Sequence, residues 1–194
     1  MTGVSSSRGA PAGSPEAAAV SGKLGAPHAS FSSIFSEYAS YVIGLLRRLG
    51  VRQADVQDMA QEVFVVVHRK LDAFEGRSSV KTWLCGITAH VAANYRRRAH
   101  IRREDLASDK EPDAPRQHDP GLELDRRNVL LSALNALDPR AREVFVLHEV
   151  EELPMPEVVA IVGCPVFTGY TRLRAARKAL RKQLEERGYG VDHD

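Results

Sequence analysis

The sequence predicts an all-α protein that is made of two small helical domains. Apolar residues recur at helical spacing from Phe31 nearly to the end, and almost no segment alternates with the period of a strand. Three prolines and several acidic residues interrupt this pattern over 104–121, which is typical of a flexible linker. We therefore expect one helical domain at 30–103 and a second at 122–187.

The segments outside these domains carry little sign of structure. Residues 1–29 are rich in Ala, Gly, Ser and Pro and lack the apolar run of a signal peptide, so we expect a disordered N-terminal arm. Residues 188–194 form a short tail. No apolar run is long enough to span a bilayer, and Cys85 and Cys164 form no Cys-x-x-Cys pair. These features favour a cytoplasmic protein that does not insert into a membrane.

Each domain has a clear helical pattern. In the first domain the periodicity predicts helices at about 31–49, 53–73 and 79–102. In the second domain a short helix over 153–162, a tight Gly-Cys-Pro turn and a long helix over 166–187 have the form of a helix-turn-helix. We expect the small Ala160 to lie where those two helices cross.

The charge is segregated although the net charge of the chain is only +2. No acidic residue occurs from Gly76 to Arg103, and Trp83, His90 and Tyr95 lie among the basic residues there. Such a surface favours phosphates, and its aromatic faces can stack on unpaired bases. The alternative is a solvated basic face on an ordinary helical bundle. The basic residues are Arg77, Lys81, Arg96, Arg97, Arg98, Arg102 and Arg103.

Two further faces indicate binding. The start of the last helix would enter the major groove and present polar and basic side chains to base edges and phosphates, although a plain helical hairpin is the alternative. Asp55, Asp58 and Glu62, with Gln61 beside them, form an acidic edge on the second helix. Because an acidic edge repels DNA, a protein partner is the better interpretation, and a solvated helix face is the other.

The sequence contains no pattern for catalysis. It has no nucleophile-and-base motif and no phosphate-binding loop, and its seven histidines are scattered. We therefore expect no enzyme activity, no small-molecule substrate, no cofactor and no metal site.

Four sequence blocks resemble a known family. Residues 55–64 and 74–84 resemble domain 2 of the bacterial sigma-70 family, and above all its small extracytoplasmic-function (ECF) group. Residues 137–147 and 158–180 resemble domain 4 of the same group. The similarity covers about 31–186, with the linker in the expected place.

The resemblance, together with the charge and helix patterns, implies three sets of site residues. Those expected to bind the clamp of core RNA polymerase are Asp55, Asp58, Gln61, Glu62 and Phe64. Those expected to contact the −10 element are Arg77, Ser78, Lys81, Trp83, His90, Asn94, Arg96, Arg97 and Arg98. Those expected to read the −35 element are Phe167, Thr168, Tyr170, Thr171, Arg172, Arg174 and Lys178.

The chain departs from the family pattern at a few positions. Val80 stands where Phe is usual, and His90 where Asn is usual. Phe167, Gly169 and Tyr170 replace the usual Gly, Val and Lys at the start of the last helix. We expect Gly169 to leave a gap under this helix, with Tyr170 at its edge. The helix is then either an altered but working reader of the −35 element or a drifted, weakened one.

The resemblance implies a sigma subunit that brings RNA polymerase to promoters and helps to open them. Its implied partners are core RNA polymerase, promoter DNA and an anti-sigma factor. One alternative is a free-standing helix-turn-helix regulator with an unrelated N-terminal bundle. A third is an interaction protein that keeps the sigma shape without initiating transcription.

Overall fold

The computed structural model describes residues 30–105 and 122–187, and all of their regular structure is helical. The all-α prediction is therefore confirmed for these ranges. The predicted arm, most of the linker and the tail lie outside the described residues. The helices are α1 (Phe31–Arg48), α2 (Val56–Lys70), α3 (Val80–Asp105), α4 (Leu122–Asn135), α5 (Pro139–Phe145), α6 (Met155–Val162) and α7 (Val166–Glu186).

Helices α1 to α3 pack on one another around an aliphatic core. Ser30 caps α1 by accepting a hydrogen bond from the backbone N–H of Ser33. Gly50, at φ +96°, turns the chain after α1. Helix α3 continues to Asp105, two residues past the predicted end of the domain, because a change in composition without a cap or a breaker does not end a helix. The fully buried core residues include Val42, Leu45, Leu46, Val56, Val63, Val67 and Leu84.

Helices α4 to α7 form the second group. Asp138 caps α5 by accepting hydrogen bonds from the backbone N–H groups of Arg140 and Ala141, and Pro139 occupies the first helical position. A wide π-type turn, Val146–Val150, follows α5 and was not expected from the sequence. Gly163, at φ +65°, ends α6 and starts the turn into α7.

The two groups of helices also contact each other. Helix α1 contacts α4, and α3 contacts α6. Ion pairs cross between the groups, and no linker composition could have revealed them, because they join residues that lie 47 to 103 positions apart. None of the helices in the described ranges is long and apolar enough to cross a membrane. The same ranges contain no cluster of three or more His, Cys, Asp or Glu side chains suited to a metal ion.

Candidate nucleic-acid and protein interfaces

The acidic edge of α2 is only partly free. Asp58 and Gln61 are exposed. Glu62 is half-buried, and its carboxylate accepts hydrogen bonds of 2.8 and 3.2 Å from Arg98 of α3. Helix α2 therefore leaves the Asp58 and Gln61 side chains exposed, whereas the charge of Glu62 is shared with an arginine.

Asp55 ties the start of α2 to α3. Its carboxylate accepts a 2.6 Å hydrogen bond from the hydroxyl of Tyr95 and a 3.0 Å bond from Arg52. Burial, and then the hydrogen bond to Asp55, raise the pKa of Tyr95. Asp55 was predicted to bind polymerase, and the structure gives its carboxylate intramolecular partners.

Phe64 lies beneath the surface of α2. It is 5% exposed, and its ring packs edge-on against Phe35, with 4.8 Å between the ring centroids, and against Phe31 at 6.4 Å. These rings form the floor of a shallow groove of about 480 Å³. Phe64 therefore supports the surface beside the acidic edge and adds little exposed area of its own.

The loop before α3 forms a small aromatic cavity. The rings of Phe74 and Trp83 lie 4.7 Å apart at an interplanar angle of 32°. The cavity holds about 180 Å³ and is open to solvent on one side. Aromatic faces flanked by an arginine and a hydroxyl are the groups that hold an extruded base. The lining residues are Ala73, Phe74, Glu75, Arg77, Ser78 and Trp83.

One face of α3 continues from this cavity. Trp83, His90, Asn94 and Arg97 recur at helical spacing, and the last three are exposed. Arg97 donates a 3.3 Å hydrogen bond to the side-chain oxygen of Asn94. The structure thus brings four of the predicted −10 residues together as a strip, which we call the α3 strip.

The arginine triplet does not form one patch. Arg97 lies on the α3 strip, whereas Arg98 is directed to Glu62 on the other side of the helix. Arg96 turns to the second domain, where it donates a 2.7 Å hydrogen bond to Glu143. Consecutive residues on a helix point about 100° apart, so three neighbouring arginines reach three different surfaces.

Helix α7 presents an open face with an aromatic start. Phe167 is 82% exposed and Tyr170 54% exposed, and Thr171, Arg174 and Lys178 are exposed on the same side. The Thr171 hydroxyl donates to the backbone oxygen of Phe167, 3.0 Å away, so it is already used within the helix. The predicted Thr168 and Arg172 are half-buried at the margin of this face.

The predicted gap at Gly169 does not exist. A Cβ atom built on Gly169 would lie 2.6 Å from Val159 Cγ1 and 2.9 Å from Met155 Sδ. Gly169 therefore lies where α7 packs tightly against α6. The expectation that Ala160 lies at this crossing was wrong, because Ala160 is exposed. Tyr170 is half-exposed and has no gap to fill.

The fold and these surfaces define a class of protein: a two-part helical protein that exposes an acidic edge on α2 and polar, basic and aromatic side chains on α3 and α7. The descriptions of the matching family models are sigma-70 region 2, over residues 34–101, and sigma-70 region 4, over residues 127–180. The ECF RNA polymerase sigma-E factor of Escherichia coli K12 is 31% identical over 80% of this chain and 87% of its own length. The ECF RNA polymerase sigma-E factor of Haemophilus influenzae is 28% identical over 80% of this chain and 88% of its own length. The chain belongs to the ECF sigma factors of the sigma-70 family.

Solved structures have the same fold. The structure of CnrH in complex with the cytosolic domain of CnrY matches with a TM-score of 0.55 and 26% identity, over 80% of this chain and 88% of the other. The sigma factor RpoE of Bartonella quintana was solved in complex with the anti-sigma factor NepR. It matches with a TM-score of 0.65 and 24% identity, over 84% of this chain and 98% of the other. As a sigma factor, the protein acts in the initiation of transcription.

One polar cluster was missed in the sequence. Arg142 and Glu143 are buried in α5 between Ala141 and Val144, so charged side chains stand at core positions. Burial raises the pKa of Glu143, and burial together with the charge of Arg96 lowers the pKa of Arg142 to about 10. Two charges next to apolar residues in a short helix are the signal that could have indicated a polar contact there.

Proposed function

We propose that this sigma factor uses three separate surfaces: the exposed end of the acidic edge on α2 for core RNA polymerase, the α3 strip with its aromatic cavity for the −10 element, and the open face of α7 for the −35 element. The observation that carries the proposal is the α3 strip, which leads from the Phe74–Trp83 cavity to Arg97. A free-standing regulator has no need for a base-sized aromatic cavity beside a basic helix.

The strip suits the opening of a promoter. Exposed polar and cationic side chains hold the backbone of a single strand, while an aromatic cavity accepts a base that has left the stack. Trp83 and Phe74 supply the stacking faces, and Arg77 supplies a cation at the rim of the cavity. Protein groups bind and orient the strand, and no bond of the DNA is made or broken, so the role requires no enzyme activity.

The partners follow from this division of surfaces. Core RNA polymerase would dock on α2, and promoter DNA on α3 and α7. We also propose an anti-sigma factor as a regulator, supported by the two similar sigma factors that were solved in complex with CnrY and with NepR. A factor that works on RNA polymerase belongs in the cytoplasm.

The direct test is run-off transcription on a genomic fragment library with core RNA polymerase, with and without the purified protein. We expect defined transcripts that appear only when the protein is added. A failure to direct any transcript, with binding to core intact, would instead favour an interaction protein that keeps the sigma shape.

Arg97 tests the α3 strip. The Arg97→Ala variant removes the one arginine of the triplet that is exposed on the strip, so binding to a forked −10 template should weaken for all sequences. The slope of the logarithm of the DNA-binding constant against the logarithm of salt concentration should become shallower by about 0.7–0.9. The matched change Arg181→Ala, at an exposed position late in α7, should leave that slope unchanged. Equal slopes for Arg97→Ala and wild type would remove Arg97 from the phosphate contacts.

Phe167 tests the reading of the −35 element. Its ring is 82% exposed at the second residue of α7, where it can contact a thymine methyl group in the major groove. We expect Phe167→Gly to change which sequences are selected from a randomised duplex pool, with a loss of preference for thymine at one position. If wild type selects nothing and the variant binds equally, α7 is a drifted reader and domain 2 determines promoter choice.

A further inference from the structure

The aromatic cavity before α3 carries a carboxylate that the proposed function does not use. Glu75 is one of the lining residues, and its side chain is 64% exposed. It stands directly before Gly76–Arg103, the stretch that contains no acidic residue. A carboxylate beside a DNA backbone repels the phosphates, so this position costs affinity for DNA of any sequence. A contact of Glu75 with the base itself would offset that cost.

The turn at Gly76 brings Glu75 together with Arg77. Gly76 has a φ of +69°, a conformation that favours glycine. Arg77 Nε donates a 2.7 Å hydrogen bond to Glu75 Oε2, and both residues line the cavity. Within the described residues neither side chain forms another hydrogen bond. The rim of the cavity therefore presents an acceptor, Oε1, beside the two terminal donor groups of the guanidinium.

The aromatic wall of the cavity is held by the start of α3. The Ser79 hydroxyl oxygen accepts a 3.0 Å hydrogen bond from the backbone N–H of Thr82, and the Ser79 backbone oxygen accepts a 3.0 Å bond from the N–H of Trp83. These bonds fix the first turn of the helix and so the position of the indole beside Phe74. A base that stacks on an aromatic face directs its edge sideways, which leaves that edge available to the rim.

The edges of the four bases differ in a way that a carboxylate can read. Cytosine, adenine and guanine each carry an exocyclic amino group, and thymine has none. A glutamate accepts a hydrogen bond from such an amino group. The one N–H of thymine lies between two carbonyl oxygens, which repel a carboxylate. A guanidinium next to the carboxylate can donate to the ring nitrogen that neighbours the amino group.

We propose that Glu75 is a specificity-determining residue of promoter opening: it accepts a hydrogen bond from the exocyclic amino group of the captured base, so the cavity prefers an amino-bearing base to thymine. The inference rests on the proposed −10 function of the cavity. Arg77 orients the carboxylate and donates to the acceptor beside the amino group. The carboxylate thus weakens binding to every sequence and selects among bases at one position.

The captured position is located first. Forked templates carry a −10 sequence obtained from run-off transcription, with an abasic nucleotide at each single-stranded position in turn. Their binding is measured with the complete complex of core polymerase and the protein. We expect one position where loss of the base weakens binding of the wild-type complex and has little effect on the Trp83→Ala complex, because the stacking face is already gone.

Base analogues at that position isolate the amino group. Cytosine and 2-pyrimidinone differ only in this group, as do adenine and purine, whereas 5-methylcytosine and thymine both carry the methyl group. We expect each amino-bearing base to bind about tenfold more tightly than its partner without the group, since a hydrogen bond to a base edge discriminates by about this much. Equal binding within all three pairs would overturn the inference.

Glu75→Gln shows whether the carboxylate makes the choice. The amide has nearly the same shape, and its N–H group can donate to a thymine carbonyl. We expect the affinity ratio of 5-methylcytosine to thymine templates to fall from about tenfold towards one, chiefly because the thymine template binds better. Asp72→Asn is the matched control, because it neutralises an exposed carboxylate three residues earlier that does not line the cavity. It should leave the ratio at the wild-type value.

Two results would count against the carboxylate and one against the cavity. A Glu75→Gln ratio equal to that of wild type would overturn the inference, as would an equal fall of the ratio in Asp72→Asn. If no template position depends on Trp83, the proposed −10 role of the cavity is wrong and the inference fails with it. The failure of the proposed function is therefore distinguishable from the failure of Glu75 as the selective residue.

Discussion

Replacing Gly169 with alanine should lower the free energy of unfolding by up to about 2 kcal/mol. The new methyl group would lie 2.6 Å from Val159 Cγ1 and 2.9 Å from Met155 Sδ, so α6 and α7 must move apart. Overpacking of this kind costs about 1–3 kcal/mol, which outweighs the roughly 1 kcal/mol that alanine gains over glycine in helix propensity. Thermal and urea unfolding of the purified protein measure the change.

The chain contains a matched control for this substitution. Gly44 also lies inside a helix, but its added Cβ would meet only the flexible end of Arg48, at 3.4 Å. Gly44→Ala should therefore raise the free energy of unfolding by roughly 0.5–1 kcal/mol. The two identical changes have opposite expected signs because one glycine lies at a helix crossing and the other does not.

A second substitution identifies the clash. In a Val159→Ala background the nearest methyl group is gone, so Gly169→Ala should cost less than it does in the wild-type protein. An increase in stability on Gly169→Ala alone would contradict the close approach and restore the gap that the sequence predicted.

The sequence was sufficient for the helices because their signals are local. The helical period and the Gly-Cys-Pro turn at Gly163 each act within a few residues, and both are found where the pattern placed them. The resemblance located both regions of the family, since their motifs are contiguous segments of chain.

The sequence was insufficient wherever a residue meets one that is distant in the chain. The substituted Gly169 indicated a gap, yet what lies under a helix depends on the facing helix, here Val159. The run of three arginines indicated one patch. In the structure Arg98 pairs with Glu62, 36 residues away in the chain, and Arg96 pairs with Glu143, 47 residues away. No spacing rule on a single helix contains this information.

The largest effect on binding is expected from Asp58. It is exposed on α2 beside Gln61, and the resemblance assigns it to the residues that would bind polymerase. Asp58→Lys replaces an attractive charge with a repulsive one at the proposed interface, which should weaken binding to core polymerase roughly hundredfold, or by about 2.7 kcal/mol. Equilibrium binding of labelled protein to core polymerase measures the loss, and circular dichroism checks that the helices remain.

Two further variants show that the effect belongs to this face. Asp72→Lys makes the same change at an exposed carboxylate about 20 Å further along the chain, beyond the end of α2, and should leave the affinity unchanged. Adding Glu62→Lys to Asp58→Lys should weaken binding to polymerase further. Part of the cost of Glu62→Lys is internal, because the new lysine repels Arg98, which pairs with Glu62 in the wild-type protein. Because that repulsion acts within the protein, the Glu62→Lys change should lower the unfolding temperature. The Asp58→Lys change alone should weaken polymerase binding and leave the unfolding temperature unchanged.

Polymerase affinity equal to that of wild type in the folded Asp58→Lys variant would remove the α2 edge from the docking surface. The solvated helix face would then be the correct interpretation.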